Sequence, residues 1–204
     1  MSLKNYSDMT DAQYDVLKEI GNIGSGNATT ALSEMLHRKI AMRIPDVMLI
    51  DISSLADLVG GPENLVVAVM LTFNGDINGM MLFVMEEESA KKIANVVLQQ
   101  SPSDEHFSEM ELSALMEVGN IIAGSYMSSI STITGLTILS SVPDISHDMA
   151  GAVLSVPAIE LGKLGDKALM IESNFEQTED KVDGFFLLVP DLESYNVIMN
   201  RVGM

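Results

Sequence analysis

Apolar residues recur at helical spacing early in the chain. Val16, Leu17, Ile20 and Ile23 fall on one side of a helix, with polar residues opposite. Thr10 and Gln13 form a capping box just ahead of them, so the pattern predicts a helix from about Asp11 to His37. Ile40 to Ile44 reads as a short strand ended by Pro45, and Val47 to Ile52 as extended. Ser53 to Val59 reads as a short helix. Leu65 to Phe73 and Ile77 to Met85 are strands, joined by the hairpin turn signal Asn74-Gly75-Asp76. Glu86, Glu87 and Glu88 open a helix to about Gln99, where their charge suits the helix dipole.

The second half follows a polar connector, Ser101-Pro102-Ser103-Asp104-Glu105. A long helix is predicted from Ser108 to about Thr134, then a strand from Leu136 to Val142 ending at Pro143. Val153 to Ile159, Ala168 to Phe175 and Val182 to Val189 look extended, and Asp191 to Val202 closes with a helix.

The order of elements repeats because the sequence repeats. Asp15-x3-Glu19-x2-Asn22 returns 98 residues later as Ser113-x3-Glu117-x2-Asn120, and each Asn is followed after 22 residues by a proline, Pro45 and Pro143. Gly119 and Gly124 keep the same 98-residue offset from Gly21 and Gly26. Further on, Ile77-Asn-Gly79-Met-Met-Leu-Phe-Val84 aligns with Val182-Asp-Gly184-Phe-Phe-Leu-Leu-Val189 at an offset of 105 residues. The chain is therefore a duplication, with repeats of about 11–99 and 108–202 in a single domain spanning 1–204. The expected fold is α+β: an antiparallel sheet of about six strands shared by both halves about a pseudo-two-fold axis, with the two motif helices on one face.

Composition narrows the function. A hydrophobic content of 47% supports a sizeable core; 16 Met against six Phe, four Tyr and no Trp imply that it is packed mainly by flexible aliphatic chains. With 29 acidic and 11 basic residues the net charge is −18, which argues against nucleic acid and anionic membrane surfaces. Cysteine is absent, removing disulfides, thiolate metal sites and thiol catalysis. No run of 18 apolar residues and no leader pattern are present, so a cytosolic chain is expected.

Several chemical readings fail on spacing. Gly21-x-x-Gly24-x-Gly26 lies inside a helical pattern, without the preceding strand or the Lys-Ser/Thr that a phosphate loop needs. Close helix packing or a bend explains it better. His37, His106 and His147 share no metal-ligand spacing; His147, near Asp144 and Asp148 in an expected loop, is too little for a metal site. No serine-elbow motif exists.

The Glu and Asn stripes remain. Positions i, i+4 and i+7 share one face of a helix, so each motif sets a carboxylate beside an amide on a polar stripe. A solvated helix face accounts for one such pair. Two copies with matched spacing, kept while their neighbours differ, ask for more. An amide both donates and accepts hydrogen bonds, so it can hold a water in line for attack. A carboxylate can pair with a cation on a partner and fix its register.

The pattern Asp/Ser-x3-Glu-x2-Asn-x22-Pro, present twice, resembles the signature of the CheC family of chemotaxis phosphatases, which includes CheX and FliY. The resemblance covers nearly the whole chain and matches at Asp15, Glu19, Asn22 and Pro45 and again at Ser113, Glu117, Asn120 and Pro143. It implies hydrolysis of the aspartyl phosphate on a CheY-type response regulator. Asn22 and Asn120 would orient water, Glu19 and Glu117 would anchor the regulator, and Asp15, Pro45, Ser113 and Pro143 would support the motifs. Mg²⁺ would belong to the regulator, leaving this chain without a cofactor or metal of its own. The receptor deamidase CheD is an implied second partner. A non-catalytic module that binds the phosphorylated regulator or the deamidase is the alternative. CheX-type proteins bear one functional motif and pair as dimers, so two intact motifs favour a CheC-type monomer. The further C-terminal domain of FliY is not expected after Met204.

Overall fold

The central strands are apolar on both faces, which is the mark of a sheet covered on both sides. In the computed structural model, which describes residues 9–37, 41–42, 46–100, 106–162, 167–176 and 181–204, β3 (Leu65–Gly75) and β4 (Gly79–Glu86) are buried through most of their length. Val67, Val69, Leu71 and Phe73 of β3 join Met81, Phe83 and Met85 of β4 in one apolar cluster. Val66, Ala68, Leu82 and Val84 point the other way into a second. The first cluster is closed by α1 (Asp11–Leu36), α2 (Glu87–Leu98), α3 (Glu109–Thr134) and α6 (Leu192–Arg201). The second is closed by a 3-10 helix (Ile52–Val59) and by α4 (Ala150–Val153).

Six further strands complete one antiparallel sheet: β1 (Ala41–Met42), β2 (Asp46–Asp51), β5 (Ile138–Ser140), β6 (Asp144–Met149), β7 (Lys167–Glu176) and β8 (Lys181–Pro190). The order is β1-β7-β8-β4-β3-β5, with β2 beside β1 on β7 and β6 beside β5 on β3. The sheet has eight segments but is six strands wide, as expected from the sequence.

The duplication is written into the register. Leu82 pairs with Leu187, its own equivalent at the 105-residue offset, so the pseudo-two-fold axis passes between them. Each half lends its short strands to the other: β2 pairs with β7, and β6 with β3. Each half thus covers a sheet edge that the other would leave open.

The two motif helices pack together on one face of the sheet. Both begin with a complete capping box. The Thr10 amide donates to Gln13 Oε1 at 2.9 Å and the Gln13 amide donates to Thr10 Oγ1 at 3.4 Å; Ser108 and Glu111 repeat this at 2.7 and 3.3 Å. Where the helices meet, a Cβ on Gly24 would lie 2.7 Å from Cδ1 of Tyr126. Tyr126 is fully buried and stacked on Phe186 of β8, with ring centroids 4.4 Å apart. The equivalent pair across the repeat is Ala28 and Ile122, both fully buried, so bulk is moved from one helix to the other. Gly24→Ala is expected to cost about 1–3 kcal/mol by overpacking, read as a lower denaturant midpoint with an unchanged slope. An unaltered midpoint would show that the ring shifts without strain.

Two expected elements differ. Val153 to Ile159 is not extended: it runs from α4 into α5 (Ser155–Gly162). Its short apolar run suits a strand or a buried helix equally, and Pro157 stands in the first turn of α5, where no intrahelical N–H partner is lost. This stretch is the counterpart of the 3-10 helix. The strand expected from Leu136 to Val142 is only β5, Ile138–Ser140, and pairing resumes beyond Pro143 as β6. Both lie on the outer side of β3, where an edge strand tolerates proline. Ser141 bridges the gap, its amide donating to the Thr72 carbonyl at 2.8 Å. His147 therefore lies in β6 rather than in a loop. Pro45, the rest of the Ile40–Ile44 strand beyond Ala41 and Met42, and the 101–105 connector lie outside the described residues. Among the described residues no helix is long and apolar enough to cross a membrane.

Candidate functional site

The core fixes which way the motifs point. On α1, Leu17, Ile20, Gly21 and Gly24 are buried, so Asp15, Glu19 and Asn22 are turned outward and all three are exposed. On α3, Ala114, Leu115, Val118 and Gly119 are buried, leaving Ser113 and Glu117 exposed and Asn120 half-buried. Gly119 sets the height of α3 above the sheet, since a Cβ there would meet Val69 Cγ1 at 2.6 Å. The helix therefore rests directly on β3, and Asn120 follows the contact residue.

The structure brings Asp15, Glu19 and Asn22 together on one stripe and Ser113, Glu117 and Asn120 on another. Among the described residues no hydrogen bond or ion pair engages any of these six side chains. Nearby serines look inward instead: Ser25 Oγ donates to the Asn22 carbonyl at 3.0 Å, and Ser125 Oγ to the Ile121 carbonyl at 2.8 Å. Pro143 is apart from the stripes, between β5 and β6 at the sheet edge, where it shapes the chain after the helix rather than the site.

The other polar candidates are used structurally. Glu87 and Glu88 pair with Lys91 and Lys92 one turn on, at 3.6 and 2.9 Å. His147 Nε2 lies 3.5 Å from Glu87 Oε2, and its ring meets Phe107 edge-on at 5.0 Å. No group of three or more His, Asp or Glu among the described residues is set to hold a metal ion. What the two stripes offer is a rigid, unengaged carboxylate and amide, displayed twice. Such groups can dock a cation and orient a water, provided that a partner brings the reacting atoms.

The CheC-like family matches residues 13–49 and 110–147, one span in each repeat. A Bacillus subtilis protein named CheY-P phosphatase CheC is 33% identical over 203 residues, covering 97% of each chain. The chain belongs to the CheC-like family. Solved structures agree on the CheC-like fold. Thermotoga maritima FliY superposes with a TM-score of 0.75 at 23% identity, covering 96% of this chain and 98% of that one. A chain from the Borrelia burgdorferi CheX-CheY-BeF3-Mg complex gives a TM-score of 0.54 at 20% identity, over 81% and 95% of the two chains. The CheC-like spans include every residue of both stripes, and they end just beyond Pro45 and Pro143.

Proposed function

We propose that this CheC-like chain hydrolyses the aspartyl phosphate of a CheY-type response regulator at two equivalent sites. The observation that carries the reading is the doubled stripe, in which Glu19 and Asn22, and Glu117 and Asn120, stand outward with no partner among the described side chains. The name of the Bacillus subtilis relative, a CheY-P phosphatase, supports the substrate class.

In this reading the regulator brings the phosphoaspartate and its own Mg²⁺, which neutralises developing charge on the phosphoryl oxygens. The chain supplies position. The Asn amide accepts a hydrogen bond from a water and holds its oxygen in line with phosphorus. A P–O bond forms to that water as the P–O bond to the aspartyl carboxylate breaks, and the regulator is left with a free carboxylate beside inorganic phosphate. Little covalent work falls to the protein, since phosphoryl transfer of this kind rests on positioning and charge stabilisation. One chain carries both sites, so no dimer is required, and a cytosolic setting goes with such a partner.

Glu19 and Glu117 are proposed to anchor the regulator. Changing both to Ala should weaken docking by about 1–3 kcal/mol at each site, as for a charge-assisted bond. The measurement is binding to the regulator loaded with Mg²⁺ and beryllofluoride, a stable stand-in for the phosphoryl group. Unchanged affinity in the double variant would remove the anchoring role.

A further inference from the structure

The repeat offers an internal test of which residues answer to packing and which to something outside the chain. Among identical residues at equivalent positions of α1 and α3, Leu17 with Leu115 and Gly21 with Gly119 are buried and belong to the core side. Glu19 with Glu117 and Asn22 with Asn120 belong to the proposed docking stripe. Gly26 with Gly124 belongs to neither account. Both glycines are exposed, and a Cβ built on either meets nothing within 4 Å. Gly24 shows what a packing glycine looks like in the same helix, with the Tyr126 ring against its Cα.

A glycine in a helix interior is disfavoured against alanine. Both helices run unbroken through this position, Asp11–Leu36 and Glu109–Thr134, so neither glycine serves as a cap. Its place on the helix is specific. Gly26 and Gly124 lie four residues beyond Asn22 and Asn120, one turn further along the same stripe.

We propose that Gly26 and Gly124 are clearance positions, where the backbone of the regulator's phosphorylated loop closes onto the helix so that its phosphorus comes within reach of the water held by the neighbouring Asn. The inference rests on the phosphatase reading and adds a positioning residue to each site. Glycine suits the task because only a position without a Cβ lets another backbone come into direct contact.

The expected result separates this role from a structural one, because stability and docking should move in opposite directions. Gly26→Ala and Gly124→Ala should each raise Tm by roughly 2–4 °C through helix propensity, and the double variant by roughly the sum. Affinity for the Mg²⁺–beryllofluoride-loaded regulator should fall at least about tenfold, with a matching loss of phosphatase rate at subsaturating regulator. In an Asn120→Ala background, where only the first site turns over, Gly26→Ala should show the same loss of rate. Wild-type binding with equal binding by the double glycine variant would overturn this inference and leave the phosphatase reading standing. A wild type that does not bind the loaded regulator would overturn both. A fall in Tm would also overturn it, since it would place the glycines in the packing of the helices.

Discussion

Changing Asn22 and Asn120 together to Ala is expected to remove nearly all acceleration of regulator dephosphorylation, about 10²–10³-fold if each amide acts as a preorganised hydrogen-bonding group in its site. Either single change should leave the other site working, because each stripe carries its own carboxylate and amide: Glu19 and Asn22 on α1 are matched by Glu117 and Asn120 on α3, and the stripes differ only at Asp15 and Ser113. The asparagines lie outside the two apolar clusters, Asn22 exposed and Asn120 half-buried, so the loss should not come through unfolding. Substitutions of this kind stay within about 0.5 kcal/mol in stability. The checks are dephosphorylation rate for the wild type, both singles and the double, with Tm as the control. Complete loss in either single variant would mean one composite centre rather than two independent sites.

The largest effect on stability is expected at Tyr126. Its ring is fully buried, lies against the Cα of Gly24 on α1, and stacks on Phe186 of β8 at 4.4 Å. It therefore joins both motif helices to the sheet. Tyr126→Ala removes the ring from a place where Gly24 has no side chain to fill the void. Truncation of a large buried aromatic costs about 3–5 kcal/mol, which for a chain of this size lowers Tm by roughly 6–20 °C. Tyr126→Phe keeps the ring and should lose much less. The pair is read by thermal or denaturant unfolding. Equal losses for both substitutions would place the contribution in the hydroxyl and not in the packed ring.

Much of this architecture was legible because the chain states it twice. The offsets of 98 and 105 residues named the halves and their pseudo-two-fold relation, and Leu82 opposite Leu187 is where the structure places the axis. The long helices are legible from local signals: Thr10-x-x-Gln13 and Ser108-x-x-Glu111 are both capping-box spacings, and both boxes form. The segment from Val153 to Ile159 is helical where an extended run was expected, because four to eight apolar residues lack a decisive period; its counterpart, Ser53 to Val59, reads as helical. The exchange of β2 and β6 between halves could not be read from periodicity, because pairing partners are set by tertiary packing. The site was legible as spacing. That Glu19, Asn22, Glu117 and Asn120 face outward is a property of the core beneath them, through Leu17, Ile20, Leu115 and Val118. The different surroundings of Gly24 and Gly119, packed against Tyr126 and Val69, and of Gly26 and Gly124, open on the surface, needed coordinates, since sequence alone gives four glycines in two helices one common reading.

The most direct test of the proposed activity is turnover. A phosphorylated CheY-type regulator is mixed with a small fraction of its concentration of this chain, and inorganic phosphate is followed against the regulator's own decay. The account predicts that phosphate release is accelerated and continues until the regulator pool is exhausted, with many phosphates released per chain. Formation of a complex with phosphate release no faster than the regulator's own decay would contradict it, and would make the two stripes a binding surface without catalysis.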